Sequence, residues 1–131
     1  MYQVGRMRVL IVDDEPTICR ALQLALTRAG YAVDTRESGE SALELMRRER
    51  VDALIVDLHI PDMRGDVLFV LASATQPQLR RQTLFITGDA SARGVELVDA
   101  CACPMLYKPF DLKELITATD RLLLDVRDVS A

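Results

Sequence analysis

Two short apolar runs that each end in acid narrow what this chain can fold into: RVLIVDD at residues 8–14 and DALIVD at residues 52–57. Neither alternates apolar with polar residues, so neither suits a strand with one wet face. Both read as strands buried on both sides, the pattern of a parallel sheet covered by helices on each face. The chain around them repeats this grammar. Pro16 sits where the first turn of a helix tolerates a missing N–H, Ile18, Leu22, Ala25, Leu26 and Ala29 form an apolar stripe, and Gly30 ends the helix. YAVDTR is expected to be a second strand, followed by a helix capped by Ser38 with Ala42, Leu45 and Met46 on one face.

Beyond Asp57, the turn-rich HIPDMRG leads to a helix through Val67, Val70 and Leu71. A polar stretch around Gln76 and Pro77 precedes a fourth strand, TLFIT, and a weaker helix around Val95 and Val98. MLYK supplies a short fifth strand. Leu112, Leu115, Ile116, Thr119, Leu122, Leu123 and Val126 then recur at helical spacing behind Asp111, a capping residue. Strands alternating with helices predict an α/β fold with a doubly wound parallel sheet of five strands and five helices in three layers, because each parallel crossover needs a helix-length connection. At 131 residues, half of them apolar, the expectation is one domain over 1–131 with its core at about 8–126.

Composition removes several functions. The net charge of −4 opposes direct nucleic-acid binding, which needs a concentrated basic surface. No apolar run approaches the length of a membrane span and MYQVGRM lacks the core of a secretory signal, so a soluble, cytoplasmic protein is expected. Cys19, Cys101 and Cys103, with His59 as the only imidazole, make a zinc site a poor fit, and small buried thiols are expected instead. DDEP after the first strand is no glycine-rich phosphate loop, which opposes a nucleotide-binding domain.

In open α/β sheets, ligands bind beyond the carboxyl ends of the strands. Asp13 and Asp14 stand at the first such end, Asp57 at the third, Thr87 at the fourth and Lys108 at the fifth. Three clustered carboxylates repel one another and call for a cation. Few, hard oxygen ligands with room for water and a phosphate suit Mg2+ better than calcium or zinc. A phosphoryl group drawn to the same place would meet Lys108 as counter-charge and Thr87 as hydrogen-bond donor, with a carboxylate as nucleophile.

VLIVDDEP, LIVDLHIPDMRG, FITGD and YKPF, in this order and spacing, resemble the receiver domain of two-component response regulators from about Arg8 to Leu124. The resemblance implies a flavodoxin-like strand order 2-1-3-4-5, with Asp57 as phosphoacceptor. It makes Asp14 a direct magnesium ligand, Asp13 a ligand acting largely through water, and the backbone carbonyl of His59 the last protein ligand. Thr87 becomes the switch hydroxyl, Lys108 the phosphate-pairing cation, and the Lys108–Pro109 peptide cis. His59 and Asp89 would flank the path of a hydrolysing water that Gly88 leaves open. The donor it implies is a histidine kinase or a histidine phosphotransfer protein, and the resemblance allows weak homodimerisation through helix four, strand five and helix five.

Two positions depart from the family pattern. Met105 stands where an aromatic switch residue is usual, Tyr107 sits one residue before Lys108 and so on the opposite side of the strand from it, and Cys101-Ala102-Cys103-Pro104 replaces a common Gly-Ala turn. Met105 can still repack into space vacated by Thr87. ITGD followed by PMLYKPF is similar to receivers attached to hybrid sensor kinases. A phosphatase acting on external substrates would need a substrate-binding cap that these residues do not supply. A phosphorylation-independent interaction module is the other alternative, opposed by the presence of all five site residues. Asp62 reads as turn chemistry.

Overall fold

The computed structural model describes residues 6–124 and 126, so the two ends of the domain expected over 1–131 lie outside the described residues. In chain order the elements are β1 (Arg8–Val12), α1 (Pro16–Arg28), β2 (Ala32–Arg36), α2 (Gly39–Arg48), β3 (Ala53–Asp57) and α3 (Gly65–Thr75). A 3-10 turn at Pro77–Arg80 then leads to β4 (Thr83–Thr87), α4 (Ala92–Cys101), β5 (Met105–Tyr107) and α5 (Leu112–Leu122). All strand pairings are parallel and the order is β2-β1-β3-β4-β5. The Lys108–Pro109 peptide is cis. No helix among the described residues is long and apolar enough to cross a membrane.

The unbroken apolar runs are explained by the two cores they feed. Leu10, Val12, Leu54, Val56 and Phe85 face the side covered by α2, α3 and α4, while Val9, Ile11, Ile55, Leu84 and Ile86 face the side covered by α1 and α5. Each fully buried aliphatic side chain contributes about 1.5–3 kcal/mol of transfer free energy. The period-2 geometry of a strand therefore needs an apolar residue at every position here, not at every second one.

Helix ends follow local chemistry. Gly30, at φ 104, closes α1: its N–H reaches Thr27 O at 3.1 Å and the Tyr31 N–H reaches Leu26 O at 3.1 Å, the paired bonds of a Schellman cap. Tyr31 and Leu26 share the same core, the apolar contact that accompanies such a cap. The Tyr31 hydroxyl donates to the Asp120 carboxylate, tying the start of β2 to α5. Ser38 caps α2 by accepting from the Ser41 N–H at 3.2 Å. Asp111 and Glu114 form a capping box on α5.

Three details go beyond what the sequence indicates. α3 passes through Val67, Val70 and Leu71, which are exposed, while Leu68, Phe69 and Ala72 face inward. The helix is apolar nearly all round, so periodicity gave no reason to prefer one face. Asp62 does more than shape its own turn: its carboxylate accepts from the N–H groups of Gly39 and Glu40, each at 2.9 Å, capping α2 from across the molecule. The third concerns the polar stretch at Gln76. The Gln76 amide donates to Met46 O and Glu49 O, both at 2.7 Å, and accepts from the Val51 N–H at 2.9 Å and from Gln78 Nε2 at 2.8 Å. Gln78 also donates to Val51 O at 2.9 Å, and Gln82 donates to Asp52 O. These glutamines clasp the loop between α2 and β3 at the amino-terminal rim of the sheet. Gln76→Ala is expected to cost about 2 kcal/mol, because it strands the N–H of fully buried Val51 and two carbonyls, and urea unfolding measures it.

Ala102 ends α4 in the left-handed region, at φ 57 and ψ 35, where a Cβ is unfavourable. Relief of that strain outweighs the extra freedom glycine gives the unfolded chain, so Ala102→Gly is expected to stabilise by about 0.5–1 kcal/mol, read as a rise in urea midpoint.

Candidate functional site

The sheet topology brings the ends of β1, β3, β4 and β5 to one rim, and the side chains there converge on Lys108. Its ammonium donates to Asp13 Oδ2 at 2.8 Å, to Asp57 Oδ2 at 2.7 Å and to Glu15 Oε1 at 3.3 Å. Asp13 is fully buried and Asp57 nearly so, while Asp14 is exposed. The other oxygens of the buried pair are held by backbone: Asp13 Oδ1 accepts from the Glu15 N–H at 2.9 Å and Asp57 Oδ1 from the His59 N–H at 2.9 Å. Each of Asp13, Asp14 and Asp57 offers a carboxylate oxygen, and these lie within 4.8 Å of one another. A set of clustered hard oxygens that outnumbers its lysine fits a small divalent cation such as Mg2+.

Electrostatics at this rim are those of a desolvated ion cluster. Burial pushes the Asp57 carboxyl above its ordinary range, outweighing the opposing pull of Lys108 and the His59 N–H. Burial alone would lower the Lys108 ammonium, but its hydrogen bonds to Asp13 and Asp57 prevail and raise it, so Lys108 is charged throughout the physiological range.

Thr87 is fully buried at the end of β4. Its hydroxyl oxygen accepts from the Asp89 N–H at 2.9 Å, and its carbonyl accepts from the Lys108 N–H at 2.8 Å. Threonine and lysine are therefore neighbours through the backbone, without a side-chain hydrogen bond between them. His59 Nε2 lies 2.8 Å from Asp89 Oδ2. Hydrogen bonds from Ser91 first, and then from His59, hold the Asp89 carboxyl down to about 2. At Gly88 a Cβ would meet nothing within 4 Å, so the space beside Thr87 is open there. Met105, on β5, pairs with Phe85 of β4 and packs against the core under α2, α3 and α4, whereas Tyr107 is exposed.

Two contributors escaped sequence reasoning. Glu15 shares Lys108, and its place beside the acid pair in DDEP was the available signal. Gly65 starts α3 against the end of β3: a Cβ there would lie 2.4 Å from Asp57 O and 2.9 Å from Leu58 Cα. Its N–H donates to Leu58 O at 2.7 Å, folding the loop after Asp57 back on itself.

This rim and strand order define a CheY-like α/β fold. The structure superposes on the chemotaxis response regulator CheY4 of Vibrio cholerae with a TM-score of 0.80 at 30% identity, covering 91% of this chain and 100% of that one. Residues 9–120 match the response regulator receiver domain, and the chain belongs to that family. It is 40% identical over 110 residues to the transcriptional regulatory protein KdpE of Mycobacterium tuberculosis, covering 82% of this chain and 47% of that one. It is 33% identical over 118 residues to the response regulator receiver protein CpdR of Brucella abortus, covering 89% of this chain and 97% of that one. Against the transcriptional regulatory protein GlrR of Escherichia coli, the chain spans only 26% of the relative's length.

Proposed function

We propose that Asp57 accepts a phosphoryl group from the phosphohistidine of a histidine kinase or histidine phosphotransfer protein, and that this modification switches the face formed by α4, β5 and α5. The observation that carries the reading is one ammonium, Lys108, shared between two buried carboxylates, Asp13 and Asp57, beside a third at Asp14. Asp13, Asp14, Asp57 and the backbone carbonyl of His59 would hold Mg2+. When bound, the ion supplies positive charge for the carboxylates and for phosphoryl oxygens in flight.

The chain's own groups account for the rest. A carboxylate oxygen of Asp57 forms the new P–O bond as the P–N bond to the donor imidazole breaks, a transfer that depends on positioning and charge more than on acid–base work. The His59 N–H orients the Asp57 carboxylate. Lys108, already 2.7 Å from Asp57, transfers its ammonium contact to a phosphoryl oxygen. Thr87 exchanges its turn with the Asp89 N–H for donation to the phosphoryl group, and Met105 repacks into the space so vacated. The side chains of His59 and Asp89 border the route of the water that later hydrolyses the acyl phosphate, a route that Gly88 leaves open, and so set its lifetime. The cytoplasm is the compartment of this exchange.

Incubation with acetyl phosphate and magnesium, followed by intact mass, tests the reading. A gain of one phosphoryl group is expected in the native chain, lost on chelation and absent in Asp57→Asn. A folded, magnesium-binding chain that gains no phosphoryl group and binds no beryllofluoride would instead support an interaction module that works without phosphorylation.

A further inference from the structure

The three cysteines fall on two sides of the sheet. Cys19 belongs to the core under α1 and α5, where its thiol donates to Asp13 O at 3.1 Å. Cys101 and Cys103 are free, half-buried thiols packed against the opposite core, beside Met105. The backbone between them is set by Ala102 at φ 57 and ψ 35. A left-handed residue is the mirror image of a helical one and turns the chain as tightly, so the Cα atoms of its two neighbours stand about 5.4 Å apart. Disulfides span about 4.4–6.8 Å between Cα atoms, most often about 5.5–6 Å. An extended residue at the same place would hold the neighbours about 6.6 Å apart, at the far limit of that span. Cys103 Sγ lies 3.4 Å from Cys101 O and Cys101 Sγ lies 3.4 Å from Leu97 O, so closure requires the thiols to turn away from these carbonyls and toward each other.

We propose that Cys101 and Cys103 are a redox pair that closes to an intrachain disulfide by exchange with a small-molecule disulfide, clamping the turn between α4 and β5 just ahead of Met105. The chemistry balances in two steps. One cysteine thiolate attacks a sulfur of the oxidant, breaking its S–S bond, releasing one small thiol and leaving a mixed disulfide. The second cysteine gives up its proton, attacks the mixed disulfide at the protein sulfur and expels the other small thiol. Two protein thiols are oxidised and one oxidant disulfide is reduced. Burial keeps both thiols above their ordinary range, Cys103 at about 12, so thiolate is scarce at neutral pH and closure is slow. A ring closed across a single intervening residue is strained and correspondingly easy to reduce, which makes the pair reversible. Cys19 lies across the sheet and cannot enter it. The pairing is independent of the phosphoryl chemistry, and its test needs no phosphodonor.

The full chain is treated with oxidised glutathione at mildly alkaline pH, quenched with acid, unfolded, alkylated and weighed intact. The expected product has lost two hydrogens and taken up one alkyl group, at Cys19. Tryptic mapping places the loss within the segment Gly94 to Lys113, which holds both other cysteines. Cys19→Ser should close as the native chain does, and Cys101→Ala and Cys103→Ala should each fail to close. A persistent mixed glutathione disulfide at Cys101 or Cys103 would overturn the pairing. So would closure that requires Cys19, or three alkylated thiols under conditions that close a reference dithiol peptide. The native-chain map decides the matter even if a variant does not fold.

Discussion

Lys108→Met is expected to lose about 3 kcal/mol of stability in metal-free buffer near neutral pH, the cost of leaving a buried charge without its partner. The ammonium is the shared counter-charge of Asp13 and Asp57, both buried, and no arginine or histidine side chain donates to either of them among the described residues. The loss should shrink when magnesium is added, since a divalent cation can take over part of the lysine's role. It should also shrink in mild acid. The Asp57 carboxyl is held above its ordinary range by burial, so its contribution to stability is complete below the ordinary carboxylate range and is lost as pH rises through the folded value. Removing Lys108 deletes an influence that opposes that rise and moves the window upward. Urea unfolding with chelator and with magnesium, at neutral and at mildly acid pH, measures all of this. A loss unaffected by either condition would mean that the lysine acts through packing alone.

Gly65→Ala is the second large effect, expected to cost about 2–3 kcal/mol and to slow phosphoryl uptake from acetyl phosphate at least several-fold. Alanine is the better helix former, so propensity alone predicts a gain of about 1 kcal/mol. Contact decides against it: the added methyl would stand 2.4 Å from Asp57 O and 2.9 Å from Leu58 Cα. Both are backbone atoms, and moving them shifts the residue proposed to receive the phosphoryl group. Urea midpoints and the initial rate of mass gain report the two parts separately. Loss of stability with an unchanged rate would place the strain outside the site.

What sequence reasoning reached and what it missed share one physical boundary. Strand positions and the residues at strand ends were legible because burial on both faces writes itself into consecutive residues, and because parallel topology carries every strand end to the same rim. Asp13, Asp14, Asp57 and Lys108 are accordingly found together, and Thr87 beside them. The reach of Asp62 to Gly39 and Glu40 was not legible, because a carboxylate in a turn-rich loop looks the same whether it serves its own turn or a helix more than twenty residues away. Gln76 escaped for the same reason, since its partners at Met46, Glu49 and Val51 are backbone groups that any residue type would present. For α3, the inward face was hidden by apolar residues on nearly every side.

The glutamine clasp and the charged rim sit at opposite ends of the same five strands. Thermal robustness can therefore be adjusted at Gln76, Gln78 and Gln82 while the chemistry at the other end stays untouched. Substitutions at that floor could thus change the stability of the molecule without altering the lifetime of the acyl phosphate proposed for its rim.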